Sequence, residues 1–193
     1  MKTYNFKAID AIPEDFVYSY APFAPEHKKF SFKPFGTINY DTENFENFDY
    51  VSIISKKKYA SGAKITAKCS FKKFGAPLIV LGNEFSPAED GELVYGLHFE
   101  VVAWKGGCNV WHIIPFPENT ERPVKVLKAG SASFEIKDDE EITLSVEVKG
   151  KYLHIDVNGN KFVCGDPCIP ERFHLGYTAC EGANELYSIT IEE

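Results

Sequence analysis

Long apolar runs are missing from this chain. None of its 193 residues belongs to a stretch approaching the ~20 apolar positions a helix needs to cross a bilayer. A secretory leader is missing too, since Met1-Lys2-Thr3-Tyr4-Asn5-Phe6-Lys7 has neither an apolar core nor a small-residue cleavage site. Either the protein stays in the cytoplasm or a leader has been removed, and the initial methionine makes the cytoplasm the expected compartment. Basic residues are in deficit, with 21 Lys and Arg against 28 Asp and Glu and a net charge of −7. That balance argues against a nucleic-acid backbone or an anionic membrane as the main partner. No glycine-rich phosphate loop and no Gly-x-Ser-x-Gly elbow occur, so neither a nucleotide nor a redox cofactor is expected; the cofactor expectation is none. Helix signals are equally scarce. The one cluster of helix formers, Asp138-Asp139-Glu140-Glu141, is short and acidic and reads as a solvated turn.

Cysteine is odd in number and irregularly spaced: Cys69, Cys108, Cys164, Cys168 and Cys180. Cys69 falls on the apolar side of an alternating stretch, as a reduced, buried thiol would. Cys164 and Cys168 flank Gly165-Asp166-Pro167, and a metal reading would need a second close pair. Cys180 with His174 is only a loose candidate, so free thiols and no metal site are the expectation.

What the chain does have is alternation. Ala63-Lys64-Ile65-Thr66-Ala67-Lys68-Cys69-Ser70-Phe71, Ile142 to Val148 and Leu153 to Val157 exchange apolar and polar residues without a break. Side chains on a strand alternate faces, so each stretch offers one dry and one wet face. Two packed antiparallel sheets are implied, an all-β sandwich. A length of 193 residues suits one such domain, residues 1–193. Residues 1–49 differ in texture. The first fifty positions hold eight of the sixteen Phe and five of the ten Tyr, interleaved with Pro13, Pro22, Pro25 and Pro34. So many aromatics require burial, while the prolines disfavour a continuous central strand. An irregular segment packed on the sandwich is expected, with short edge strands at Tyr4 to Ala8 and Phe30 to Phe32.

Further strands are expected at Val51 to Ser55, Gly62 to Phe71, Pro77 to Leu81 (continuously apolar, hence covered on both sides), Leu93 to Trp104, Cys108 to Ile114, Ile142 to Lys149, Tyr152 to Val157, Phe173 to Ala179 and Leu186 to Ile191. Asn83 to Glu92 reads as an acidic loop. It offers oxygens to a hard cation but lacks the Asp/Asn ladder of a calcium loop. Gly106-Gly107, Gly150-Lys151 and Asn158-Gly159 read as hairpin turns.

Three passages carry a family resemblance. Tyr59-Ala60-Ser61-Gly62 leads into an alternating strand. Lys151-Tyr152-Leu153-His154-Ile155-Asp156-Val157-Asn158-Gly159-Asn160-Lys161-Phe162 forms a late hairpin with an Asn-Gly tip. His174-Leu175-Gly176-Tyr177 is followed by a closing strand from Leu186 to Ile191. Over residues 50–193 this pattern resembles the concanavalin A-like lectin/glucanase jelly roll, the superfamily that includes laminin-G modules. The resemblance implies a jelly-roll sandwich and glycan-directed functions. The Glu-x-Asp-x-x-Glu catalytic strand of its glucanases is absent, as is the galectin pattern, so neither activity transfers.

Taking Gly106-Gly107 as a two-residue turn sets Trp104 opposite Asn109, Val102 opposite Trp111 and Glu100 opposite Ile113, and opposed residues share a face. One face then collects His98, Glu100, Trp104, Asn109 and Trp111. A three-residue turn would bring His112 there in place of Trp111. Indoles that stack on a sugar ring, beside groups that exchange hydrogen bonds with its hydroxyls, point to a saccharide ligand. The catalytic residues are unknown. A non-catalytic carbohydrate-binding protein is the first expectation. A glycoside hydrolase or lyase using Glu100, with Glu84, Asp90 or Glu92 as second carboxylate, is the alternative, and a protein-interaction module is the third. The second hairpin should pair Glu147 with His154 and Ser145 with Asp156 on an exposed face, with Lys161 beside Asp156; these read as solubilising pairs.

Overall fold

A computed structural model of the chain describes residues 1–21, 28–40, 50–87, 93–116, 118–119 and 123–193. In chain order the strands are β1 (Lys2–Asn5), β2 (Phe16–Tyr20), β3 (Ser31–Lys33), β4 (Gly36–Ile38), β5 (Tyr50–Ser55), β6 (Tyr59–Ala60), β7 (Lys64–Lys72), β8 (Ala76–Gly82) and β9 (Phe85–Pro87). They continue as β10 (Leu93–Tyr95), β11 (His98–Trp104), β12 (Gly107–Pro115), β13 (Val124–Ser133), β14 (Ile142–Lys149), β15 (Tyr152–Val157), β16 (Asn160–Gly165), β17 (Arg172–Cys180) and β18 (Ala183–Glu192). No helix occurs among the described residues. One sheet runs β16-β15-β14-β7-β18-β4-β3, with β1 also on β18. The other runs β13-β12-β11-β8-β17-β5-β2-β10-β9, with β6 also on β17. Pairing is antiparallel except for a short parallel contact of Leu93 and Val94 with Ser19 and Tyr20.

Alternation decides what each strand buries. Ile65, Ala67 and Cys69 of β7, with Leu144, Val146 and Val148 of β14, point inward against Phe99, Val101 and Val110 of the opposite sheet. Each fully buried Val, Leu, Ile or Phe side chain among them contributes about 1.5–3 kcal/mol relative to exposure. Cys69 is fully buried, and desolvation pushes its thiol up to about 12. Continuously apolar β8 is covered on both sides: Ile79 and Leu81 join the main core, while Leu78 and Val80 join a smaller cluster on the outer face with Tyr50, Ile54 and Cys180.

The aromatic N-terminal segment is woven into both sheets. Phe16–Tyr20 lies between Pro13 and Pro22 and contains no proline itself, so it pairs with β5 on one side and β10 on the other. The expected lid of irregular chain therefore gives way, over the described residues, to a strand inside one sheet and to β1, β3 and β4 at the margin of the other. The expected strand Tyr4 to Ala8 ends at Asn5, and Ala8 takes φ 56°. Part of the expected acidic loop, Phe85–Pro87, is a strand. Asp90 and Glu92 lie outside the described residues. The long strand β13 is an addition. Its residues are mostly exposed, so the buried-face signal that marks other strands is absent there.

The hairpin β14–β15 has the expected register, with Val148 opposite Leu153, Glu147 opposite His154 and Ser145 opposite Asp156. At the next turn Asn158 and Gly159 take φ 51° and 86°, the left-handed values of a tight hairpin turn. Lys161 Nζ lies 3.6 Å from Asp156 and Lys149 Nζ 2.9 Å from Glu147, so this outer row is occupied by ordinary surface pairs.

Two glycine substitutions separate conformational cost from collision. A Cβ on Gly159 meets nothing, so Gly159→Ala should cost about 1–2 kcal/mol in denaturant unfolding from the left-handed backbone alone. Gly107 combines φ 134° with a Cβ position 2.1 Å from the Ala132 carbonyl oxygen, so Gly107→Ala should cost more than about 4 kcal/mol. Equal losses at the two sites would contradict these turn geometries.

Candidate functional site

The hairpin β11–β12 turns at Lys105-Gly106, one residue earlier than expected. Trp104 faces Gly107, Val102 faces Asn109, Glu100 faces Trp111 and His98 faces Ile113. The register is thus displaced by two residues from the sequence-based pairing. A displacement of two leaves every side chain on its own face. Glu100, Trp104, Asn109 and Trp111 consequently line one groove of about 720 Å³ on the outer face of the larger sheet. Ligand sites typically enclose about 300–1,000 Å³. His112 stays on the inward face, stacked on Phe99.

Trp104 is 42% exposed and its indole lies across Gly106, close enough that any side chain there would displace the ring. Phe74, on the connection between β7 and β8, is 51% exposed and lines the same groove. Trp111 is half-buried, and Lys128 on neighbouring β13 holds its ammonium 5.7 Å from the ring centroid. Beyond Trp104 and Lys105 a second groove of about 810 Å³ runs past Ser133, Phe134 and Glu135. The turn therefore stands between two depressions.

Glu100 is only 3% exposed and forms part of the groove floor. The Tyr50 hydroxyl donates to its carboxylate at 3.2 Å, and His98 Nε2 lies 3.2 Å from Oε1. His98 is fully buried, and its Nδ1 lies 2.9 Å from the Gly96 carbonyl oxygen. Both ring nitrogens therefore face an oxygen, one of the main chain and one of Glu100, and the ring is held between them. His98 is thus placed behind the groove, where it meets a ligand only through Glu100.

Two more carboxylates line the groove. Asp138 accepts from the Lys73 backbone N–H at 3.2 Å. Glu181 sits in left-handed backbone at φ 54°, its carbonyl oxygen accepting from Asn39 and Asn184 side-chain amides, and burial raises its carboxyl above the usual range. Cys180, also in the lining, is buried, and desolvation with the nearby Glu100 and Glu181 raises its thiol well above the ordinary range. Such a thiol is inert at neutral pH. Cys180 and His174, the second pair a metal reading would need, sit six residues apart on β17, about 20 Å along a strand, and form no cluster. Tyr50, Phe74, Asp138 and Glu181 escaped the sequence reading because they arrive from four separate stretches. Only the exposed Phe74, set among turn residues, left a local signal.

Solved structures similar to this one span the whole sandwich. The carbohydrate-binding module CBM66 from Bacillus subtilis superposes with a TM-score of 0.61 over 85% of this chain and 91% of its own, at 10% identity. A legume lectin-like domain from Entamoeba histolytica gives 0.57 over 93% and 90%, at 14% identity. A glycoside hydrolase family 16 enzyme of a Bacteroides ovatus mixed-linkage glucan locus, in complex with a G4G4G3G product, gives 0.59 over 99% of both chains, at 11% identity. The fold is the concanavalin A-like jelly roll. Identities this low establish the jelly roll and nothing finer. No family model matches the sequence, and no curated protein matches it.

Two substitutions on the hairpin should separate surface from support. Trp104→Ala should change unfolding free energy by less than about 1 kcal/mol, as an exposed ring would. Glu100→Ala removes the shared partner of buried Tyr50 and His98 and should cost about 3 kcal/mol. Glu181 adds a pH dependence. Its folded carboxyl titrates above the unfolded one, so the native state binds more protons and stability falls as pH rises from the usual Glu value of about 4.3 through the raised one. Glu181→Gln should remove that decline. Parallel stability–pH curves for wild type and variant would contradict it.

Proposed function

We propose that residues 1–193 work as one domain that binds an oligosaccharide without transforming it, in the groove beside Trp104. The single observation that carries this reading is an exposed indole, set beside an exposed Phe74, above a floor of fixed polar groups. A pyranose ring stacks its C–H face on such an indole. Asn109, Lys105 and Asp138 supply the mixed donors and acceptors that hydroxyls need. Two grooves meeting at Trp104 suit a chain of several sugars better than a single one. Similar structures include a carbohydrate-binding module and a lectin-like domain, which supports a saccharide partner. Five free cysteines support a reducing compartment such as the cytoplasm.

A glycan array followed by calorimetry on the best oligosaccharide tests this reading. Binding is expected for wild type, at least tenfold weaker (about 1.4 kcal/mol) for Trp104→Ala, with the melting temperature preserved. Absence of binding to any glycan, or full affinity in the variant, would overturn it.

One observation favours a second reading, a glycoside hydrolase. Glu100 shares the groove with Glu181, whose raised carboxyl is the kind of group that serves as general acid. Release of reducing ends from the bound glycan, abolished by Glu181→Gln, would select it. An intact ligand after prolonged incubation would select binding alone.

A further inference from the structure

The inward row of the same hairpin leads to a different place. His112 on β12 points to the edge of the interior, where the turn after β16 comes up from the other sheet. There His112 Nδ1 lies 3.3 Å from Asp166 Oδ2, and with Cys168 Sγ the three donor atoms all lie within 4.8 Å of one another. We propose that His112, Asp166 and Cys168 bind a divalent transition-metal ion of the zinc type.

The donor set favours that class. An imidazole nitrogen, a carboxylate oxygen and a thiolate sulfur together suit a borderline metal, whereas calcium and magnesium take oxygens. Ligands about 2.0–2.1 Å from a tetrahedral ion stand about 3.3 Å apart, the separation seen between His112 and Asp166. The two oxygens of Asp166 are already divided: Oδ1 accepts from the Cys168 backbone N–H at 2.8 Å, leaving Oδ2 towards the imidazole. That same bond ties the cysteine's main chain to the site. Cys168 is exposed, so its side chain is free to close the remaining distance of roughly 1 Å to a tetrahedral edge.

His112 is almost wholly buried, and its Nε2 has no hydrogen-bond partner among the described residues. The Nδ1 side is therefore where the ring makes its polar contact. Cys164 faces Gly130 from inside the sandwich and stands outside the trio. Three protein ligands leave a fourth position towards solvent, beside the exposed Cys168. The ion would join β12 of one sheet to the β16 turn of the other, on the inward side of the hairpin, opposite the Trp104 groove.

Cobalt(II) titration of the full chain, stripped beforehand with a chelator, tests the proposal. Expected are a near-ultraviolet thiolate-to-cobalt band with intense tetrahedral visible bands, both displaced by zinc, and a higher melting temperature in zinc. Cys168→Ser should abolish the near-ultraviolet band, and Asp166→Asn should weaken zinc binding at least about tenfold. Cys164→Ser and Trp104→Ala should leave the spectrum unchanged, the latter separating this site from the saccharide groove. Both ligand variants conserve side-chain size, Cys168 at an exposed position and Asp166 at a half-buried one, and their melting curves report folding. A missing cobalt spectrum, or a thiolate band that survives Cys168→Ser, would overturn the proposal.

Discussion

Close packing between the two sheets holds the hairpin β11–β12 in one register, and the proposed saccharide groove depends on it. Phe99, Val101 and Ala103 on one arm, with Cys108 and Val110 on the other, are buried in the shared core. Sliding either arm by one residue would drive Glu100 and Trp104 into that core and lift Phe99 and Val101 out of it. The outer row is therefore fixed by the inner one. Trp104, Asn109, Glu100 and Trp111 sit in one groove because their neighbours have nowhere else to go.

The polar floor of the groove is similarly constrained. A carboxylate as buried as Glu100 must be paired, and Tyr50 from β5 and His98 from its own strand both reach it. This unit spans strands that are not neighbours in the sheet, so it ties the hairpin to the sheet centre and limits movement of the floor. Rigidity at the floor and exposure at the Trp104 rim divide the site. In the proposed binding, one part is preorganised and the other is open to a ligand.

Much of the fold was legible because strands with one buried face write a period of two into the sequence. The β14–β15 pairing and the Asn158-Gly159 turn could be read residue by residue. The site row was legible for a subtler reason. Spacing places the turn at Gly106-Gly107 and the structure at Lys105-Gly106, a register difference of two residues that preserves facing, so the same side chains share the groove. Legibility ended where burial stops imposing a pattern. Strand β13 lies at a sheet edge with most residues exposed, and β2 was obscured by flanking prolines. The exposure of Trp104 and the burial of His98 depend on contacts from distant segments, which spacing does not encode. The trio of His112, Asp166 and Cys168 was invisible for the same reason, since its members come from opposite sheets.

The chain has only two tryptophans, at positions 104 and 111, and both line the groove. Their two indole N–H resonances therefore form a built-in reporter. Titration with an oligosaccharide series, followed by proton–nitrogen correlation spectra, is the most direct test of the central claim. The account predicts saturable shifts of the Trp104 signal, with a smaller response from Trp111 beneath Lys128, increasing with chain length. Indole signals that stay still while a glycan binds elsewhere would contradict it.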